Sequence, residues 1–208
     1  MLAQLHDGKQ HWHAAACAAV LGGDHFDRVL GSLHCLPDHG ERSGRFAEPP
    51  GHYRHRAAAD VVRQYLAEVA RLVTGSDLFS VLAHIDYPVR SWPEREAGPF
   101  DPSAFEDEFR YALRTTAESG RALEISTRIP SLHSTLVRWW HEEGGQAVTF
   151  GSDAHQPLAV AVGFQEAAAM AQAHGFRPGR NPYDFWARAG WTQRRRVIGN
   201  SGQTGSSR

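Results

Sequence analysis

Three short apolar runs in this chain each stop at side chains that bind metal ions. Residues 28–33 (RVLGSL) lead to His34, residues 79–83 (FSVLA) to His84, and residues 147–152 (AVTFGS) to Asp153 and His155. The runs read as strands, and a helix-like segment follows the second and third. Such an alternation implies parallel strands joined by right-handed crossovers. In an α/β barrel the carboxyl ends of parallel strands open into one mouth, where active sites are built. Ligands far apart in sequence can therefore meet at one point. Imidazole and carboxylate suit Zn, Mn and Fe, so the pattern predicts a metal-dependent hydrolase.

The remaining segments fit the same alternation. Residues 12–21 carry alanines and apolar residues at helical spacing, closed by Gly22 and Gly23. Residues 37–53 and 87–102 are rich in Gly, Pro or charge and read as loops over the mouth; long loops in compact domains are often functional. A helix is predicted over 57–73, with Val61, Val62, Tyr65, Leu66, Val69, Leu72 and Val73 on one face. Further helices are predicted at 103–118, with Ser103 as cap, at 132–142, and at 158–174, closed by Gly175. A short last helix is predicted at 182–188. Residues 121–126 (RALEIS) form a further strand. Four strands are then legible, and a closed barrel needs about eight. The deficit lies at the N-terminus, where no convincing strand is visible.

Composition narrows the function. The 208 residues are expected to form one domain, 1–198, with a polar disordered tail, 199–208. With 22 Lys and Arg against 23 Asp and Glu, the net charge is −1. That balance gives no long-range pull on nucleic acid or an anionic membrane. No apolar stretch approaches a bilayer span, and the N-terminus lacks the order of a signal peptide. The two cysteines, Cys17 and Cys35, cannot form a disulfide framework. A cytoplasmic location is expected. Oligomeric state is not legible.

Each motif has a plainer reading beside the functional one. In Gly151-Ser152-Asp153-Ala154-His155, Asp153 and His155 at i and i+2 share a side of an extended backbone; equally, Asp153 could cap the next helix. Asp86 could ligate, or accept the second N–H of a ligand histidine; alone, His84 and Asp86 read as a buried His with its carboxylate. His34 alone reads as structural, but its strand-end position matches the other motifs. Cys35 points away from His34 on a strand and reads as packing. Glu124 sits between apolar neighbours that face the other side, and an inward carboxylate is costly unless paired or metal-facing. Arg128, just past that strand, could clamp a phosphate bidentately or lie exposed in a loop. His11-Trp12-His13 precedes an alanine-rich segment without a legible strand and reads as a surface helix start.

Together these pieces resemble the PHP superfamily of metal-dependent phosphoesterases, in its histidinol-phosphatase branch. The matching segments are 26–34 (FDRVLGSLH), 81–86 (VLAHID), 122–126 (ALEIS) and 150–155 (FGSDAH), in order. The resemblance implies a distorted (β/α)7 TIM-like barrel with two or three divalent metals, Zn, Mn or Fe, at its mouth. By it, His34, His84, Asp153 and His155 are metal ligands, Asp86 and Glu124 lie behind them, and Arg128 binds substrate. The reacting group would be a metal-bound water and the substrate a small phosphomonoester, histidinol phosphate, of histidine biosynthesis. Asp86, Glu94 and Trp92 are candidates to receive its cationic part. A nucleic-acid 3′ end, the substrate of polymerase-linked relatives, suits the charge poorly.

Departures from the family pattern shape a second expectation. The family's opening H-x-H motif, a nearby Asp-His and a Gly-x-Glu have no counterpart here, and Ser126 stands where the family has Asn. The barrel is therefore expected to be incomplete at its N-terminus: a late start, a fragment or a non-catalytic homologue. Four strand-end ligands would hold one ion firmly and two poorly, so weak or absent hydrolysis is expected of this chain and robust hydrolysis of one extended upstream.

Overall fold

The computed structural model describes residues 2–5, 18–19, 21, 26–38 and 45–192, the first four by backbone alone. The centre is a six-stranded sheet. Its members are β1 (Leu2–Leu5), β2 (Arg28–Gly31), β5 (Val81–Leu82), β6 (Ala122–Ser126), β7 (Ala147–Gly151) and β8 (Trp186–Ala187), paired in that order. All neighbours are parallel except β7 and β8. A two-stranded antiparallel ribbon, β3 (Leu36–Pro37) and β4 (Phe46–Ala47), follows β2. The helices are α1 (Pro49–Tyr53), α2 (Ala58–Gly75), α3 (Glu94–Ala97), α4 (Glu106–Glu118), α5 (Pro130–Glu142) and α6 (Phe164–Ala173).

Strand alternation divides the sheet into two faces. Val29, Leu82, Leu123, Ile125 and Val148 join the main core with the apolar sides of α2, α4 and α5. All seven residues predicted on the face of α2 are buried, each contributing roughly 1.5–3 kcal/mol for a fully buried aliphatic side chain. The opposite face carries smaller residues, Val81, Ala83, Ala122 and Ala147, with Leu30 and Phe185. Glu124 and Ser126 share the register parity of Ala122 and so belong to that second face.

Several expectations need correction. The chain does open with a strand: β1 lies parallel to β2, Leu2 opposite Arg28 and Leu5 opposite Gly31. Four residues at a sheet edge carry too little periodicity to announce themselves, and the partner supplies the order. The predicted final helix at 182–188 is instead β8, antiparallel to β7 with Ala187 opposite Ala147; Trp186 sets its ring edgewise on Phe150 at 5.1 Å, and that packing overrides local propensity. The helix predicted at 158–174 begins only at Phe164, because Gly163 at φ 79° interrupts the chain after a 3-10 turn at Pro157–Ala159. The loop at 37–53 contains β3, β4 and α1, and the one at 87–102 contains a 3-10 turn, Tyr87–Ser91, and α3. Ser103 is not the cap of α4: it lies in a 3-10 turn, Pro102–Phe105, that leads into the helix and is itself capped by Asp101, which accepts from the Ser103 N–H at 2.9 Å. Residues 18, 19 and 21 are helical; the rest of the segment predicted at 12–21, His11 and His13, and the tail at 199–208 lie outside the described residues. Among the described residues β1 and β8 are sheet edges and do not close on one another, and no helix is long and apolar enough to cross a membrane.

Candidate metal centre

The carboxyl ends of β2, β5, β6 and β7 bring His34, His84, Glu124 and Asp153 together. His34 Nε2 lies 2.9 Å from His84 Nδ1. His84 Nε2 lies 3.9 Å from a Glu124 oxygen and 4.0 Å from an Asp153 oxygen. The backbone N–H of His84 donates to Glu124 at 3.2 Å. His84 and Asp153 both hold left-handed backbone, at φ 59° and 47°. That conformation is strained for residues other than glycine and concentrates at functional sites.

Neighbouring residues hold these groups in place. The Tyr65 hydroxyl, from α2, donates to the carbonyls of Leu33 at 2.9 Å and His84 at 2.6 Å, so it pins the backbone beside both histidines. The Tyr87 ring stacks on His34 at 4.3 Å. Gly151 is required by close approach, since a Cβ there would collide with the Glu124 carboxylate.

Charge in the site is set by burial and by Arg90. Burial, with Arg90 adding to it, pushes the His84 ring down to about 4, so it is neutral at pH 7. Burial raises Glu124 to about 7. Asp86 is fully buried. Burial works to raise its carboxyl, but His133 and Arg90 outweigh that and hold it well below the usual range. Arg90 grips both Asp86 oxygens at 3.0 Å and reaches Asp153 at 2.6 Å. His133 Nε2 approaches Asp86 at 3.7 Å, beyond hydrogen-bond range.

The predicted residues thus fall into groups. His34, His84 and Asp153 share one end of the sheet, with Glu124 behind them. His155 is exposed, its Nδ1 set 2.9 Å from the Asp153 carbonyl rather than among the others. Asp86 engages Arg90 rather than the second nitrogen of a histidine. Arg128 is exposed and lines a cleft of about 350 Å³ with Arg90, Thr127 and Ser152; its N–H donates to Ser126 Oγ at 3.2 Å. Glu94 is exposed on α3, and Trp92 donates to the Gly98 carbonyl at 2.8 Å. The four expected ligands do not close into one coordination sphere. Among the described residues, only Asp38, His52 and His55 bring three donor atoms within 4.8 Å of one another. Between Asp86 and Asp153 the positive charge comes from Arg90. Arg90, Tyr65 and His133 were not read as site residues from the sequence.

No family model matches the chain. It is similar to three probable histidinol-phosphatases. Identity is 24% over 159 residues with that of Clostridium acetobutylicum and 33% over 155 with that of Deinococcus radiodurans. With that of Thermotoga maritima it is 31% over 113 residues. These matches cover 74%, 71% and 51% of this chain, but 60%, 55% and 46% of the relatives, so the chain spans about half their length. A solved structure shares the fold at a TM-score of 0.60 and 20% identity, over 76% of this chain and 60% of the other. It is the histidinol phosphate phosphatase of Lactococcus lactis subsp. lactis Il1403, complexed with zinc, L-histidinol and phosphate.

Proposed function

We propose that this chain is a metal-dependent phosphoric monoester hydrolase of histidinol-phosphatase type, on a distorted (β/α)7 barrel. The observation that carries this reading is the juxtaposition of His34, His84, Asp153 and Glu124 at the carboxyl ends of parallel strands. The similarity to probable histidinol-phosphatases supports the substrate, and the small side chains on the second face of the sheet support a barrel interior.

The donor types suit a divalent transition metal, which would draw His34, His84 and Asp153 closer together and displace Arg90 from Asp153. His84 is neutral and so offers a lone pair, Asp153 an anionic oxygen, and Glu124 a carboxylate that burial leaves short of partners. His34, His84 and Asp153 would hold the ion, with His155 at the rim. A divalent metal bound there supplies a water of lowered pKa and neutralises phosphoryl charge. The chain's own part is positioning. Tyr65 fixes the carbonyls beside both histidines. Arg90 and Arg128 line one cleft, where guanidinium groups match phosphate oxygens. A larger cleft of about 890 Å³ borders the turn that carries Arg90, lined by Tyr53, Trp92, Glu96 and Asp101. Its aromatic faces and carboxylates suit a substrate with a cationic amine and imidazole.

The test is phosphate release from histidinol phosphate with Mn²⁺ or Zn²⁺ added. Metal-dependent release that Asp153→Asn lowers about 100-fold or more would support the reading, since even residues behind a ligand are worth 10–100-fold. Release that is indifferent to both metal and Asp153 would refute it.

A further inference from the structure

We propose a second metal site, for Zn²⁺ or a similar divalent transition ion, formed by Asp38, His52 and His55 on the β3–β4 ribbon and the helix that follows it. The three side chains each bring one donor atom to within 4.8 Å of the others. His52, inside α1, is fully buried. Its Nε2 lies 3.2 Å from the Leu36 carbonyl and 3.1 Å from the Ala47 carbonyl. Carbonyl oxygens only accept, so Nε2 carries the ring proton. The lone pair is therefore on Nδ1, which is buried and has no hydrogen-bond partner among the described residues. A latch between the two ribbon strands explains Nε2 and leaves Nδ1 unexplained. A ring proton held by a backbone carbonyl, with the other nitrogen bare, is the arrangement that prepares a histidine to ligate.

The other two donors are set for the same ion. His55 follows His52 by three residues, a spacing that keeps two side chains on one side of a helical turn. Its Nε2 lies 3.6 Å from Asp38 Oδ1, and its ring centroid 5.9 Å from that of His52. The Asp38 N–H donates to the Arg45 carbonyl at 2.8 Å, which fixes the base of the ribbon beneath the carboxylate. Two imidazoles and one carboxylate favour zinc over magnesium or calcium, and a water completes four-coordination. The ion would clip the ribbon to α1. From α1, Tyr53 donates to the Pro88 carbonyl at 2.7 Å, in the turn that carries Arg90. The clip would therefore steady the wall of the mouth without belonging to it, and it does not depend on the proposed reaction.

The experiment titrates Zn²⁺ and Co²⁺ into the metal-stripped full chain, with stoichiometry read by calorimetry and by Co²⁺ absorption. A His34→Ala, Asp153→Asn background silences the mouth. About one equivalent should still bind there. His55→Ala or Asp38→Asn should weaken that equivalent 100-fold or more. His55 is exposed, so His55→Ala should melt with the parent when metal-free and lose only the metal-induced rise in midpoint. In the otherwise unaltered chain, His55→Ala should remove about one equivalent and retain phosphate release. Absence of binding in the silenced background, or full binding after His55→Ala, overturns the inference. Absence of phosphate release bears on the proposed reaction and leaves this result untouched.

Discussion

Strand β6 carries one buried ionisable side chain at its centre, Glu124, and follows directly on another, Arg121, and the two are treated in opposite ways. Arg121, just before the strand, is 4% exposed. It donates to the carbonyls of Phe79 at 3.1 Å, Val73 at 3.0 Å and Ser76, and lies 4.3 Å over the Phe79 ring. Its charge is surrounded by acceptors and makes a brace. Glu124, on the strand, has one backbone donor at 3.2 Å, a raised pKa, and strained neighbours at His84 and Asp153. Charge is met by acceptors just before β6, while left-handed backbone and an under-partnered carboxyl gather at the carboxyl ends. That is the division of labour expected of parallel α/β architecture, where stability and chemistry occupy opposite faces.

The largest effect should come from the brace. Arg121→Ala strands three carbonyls in the interior and should cost roughly 3–5 kcal/mol in denaturant unfolding. A loss under 1 kcal/mol would break the contrast. Asp153→Asn should do the reverse, with activity down about 100-fold or more and the unfolding midpoint of metal-free protein nearly unchanged.

Glu124 sharpens the contrast through pH. A carboxyl raised to about 7 from its ordinary 4.5 keeps its proton in the folded chain where the unfolded chain has lost it. Its contribution to stability is full below pH 4.5 and is lost as pH rises through 7. Between pH 4.5 and 8, metal-free wild type should lose roughly 2–3 kcal/mol that Glu124→Gln does not. His84, lowered to about 4, gives an opposite slope below its ordinary 6.5, so the Glu124 loss is read most cleanly above that pH. Equal pH profiles would remove Glu124 from the account. The smallest effect is expected on the outer surface, where Arg114 reaches Glu143 at 2.7 Å with its own side chain half exposed. Arg114→Ala should leave the unfolding midpoint within error, because solvent screens such pairs.

What the sequence disclosed follows from where each signal lies. His34, His84 and Asp153 end apolar runs, and Glu124 interrupts one, so local pattern exposes them. Arg90 sits in a Pro-rich stretch that reads as loop, and its meaning depends on Asp86 and Asp153 meeting it in three dimensions. Tyr65 occupies a correct apolar position on α2, but nothing local tells that its hydroxyl reaches two carbonyls. β1 and β8 are short edge strands whose order comes from their partners. His52 and His55 have the spacing of a ligand pair, but His52 falls at the end of the loop read over 37–53 and His55 just beyond it, and Asp38 joins them only through the β3–β4 ribbon.

The most direct test of the central claim is anomalous diffraction at the zinc edge from crystals grown with Zn²⁺. The account predicts a zinc peak at the strand ends, with donors from His34, His84 and Asp153 at about 2.0–2.2 Å and Arg90 released from Asp153. An empty strand end, with Arg90 still paired to Asp153 under saturating zinc, would contradict it.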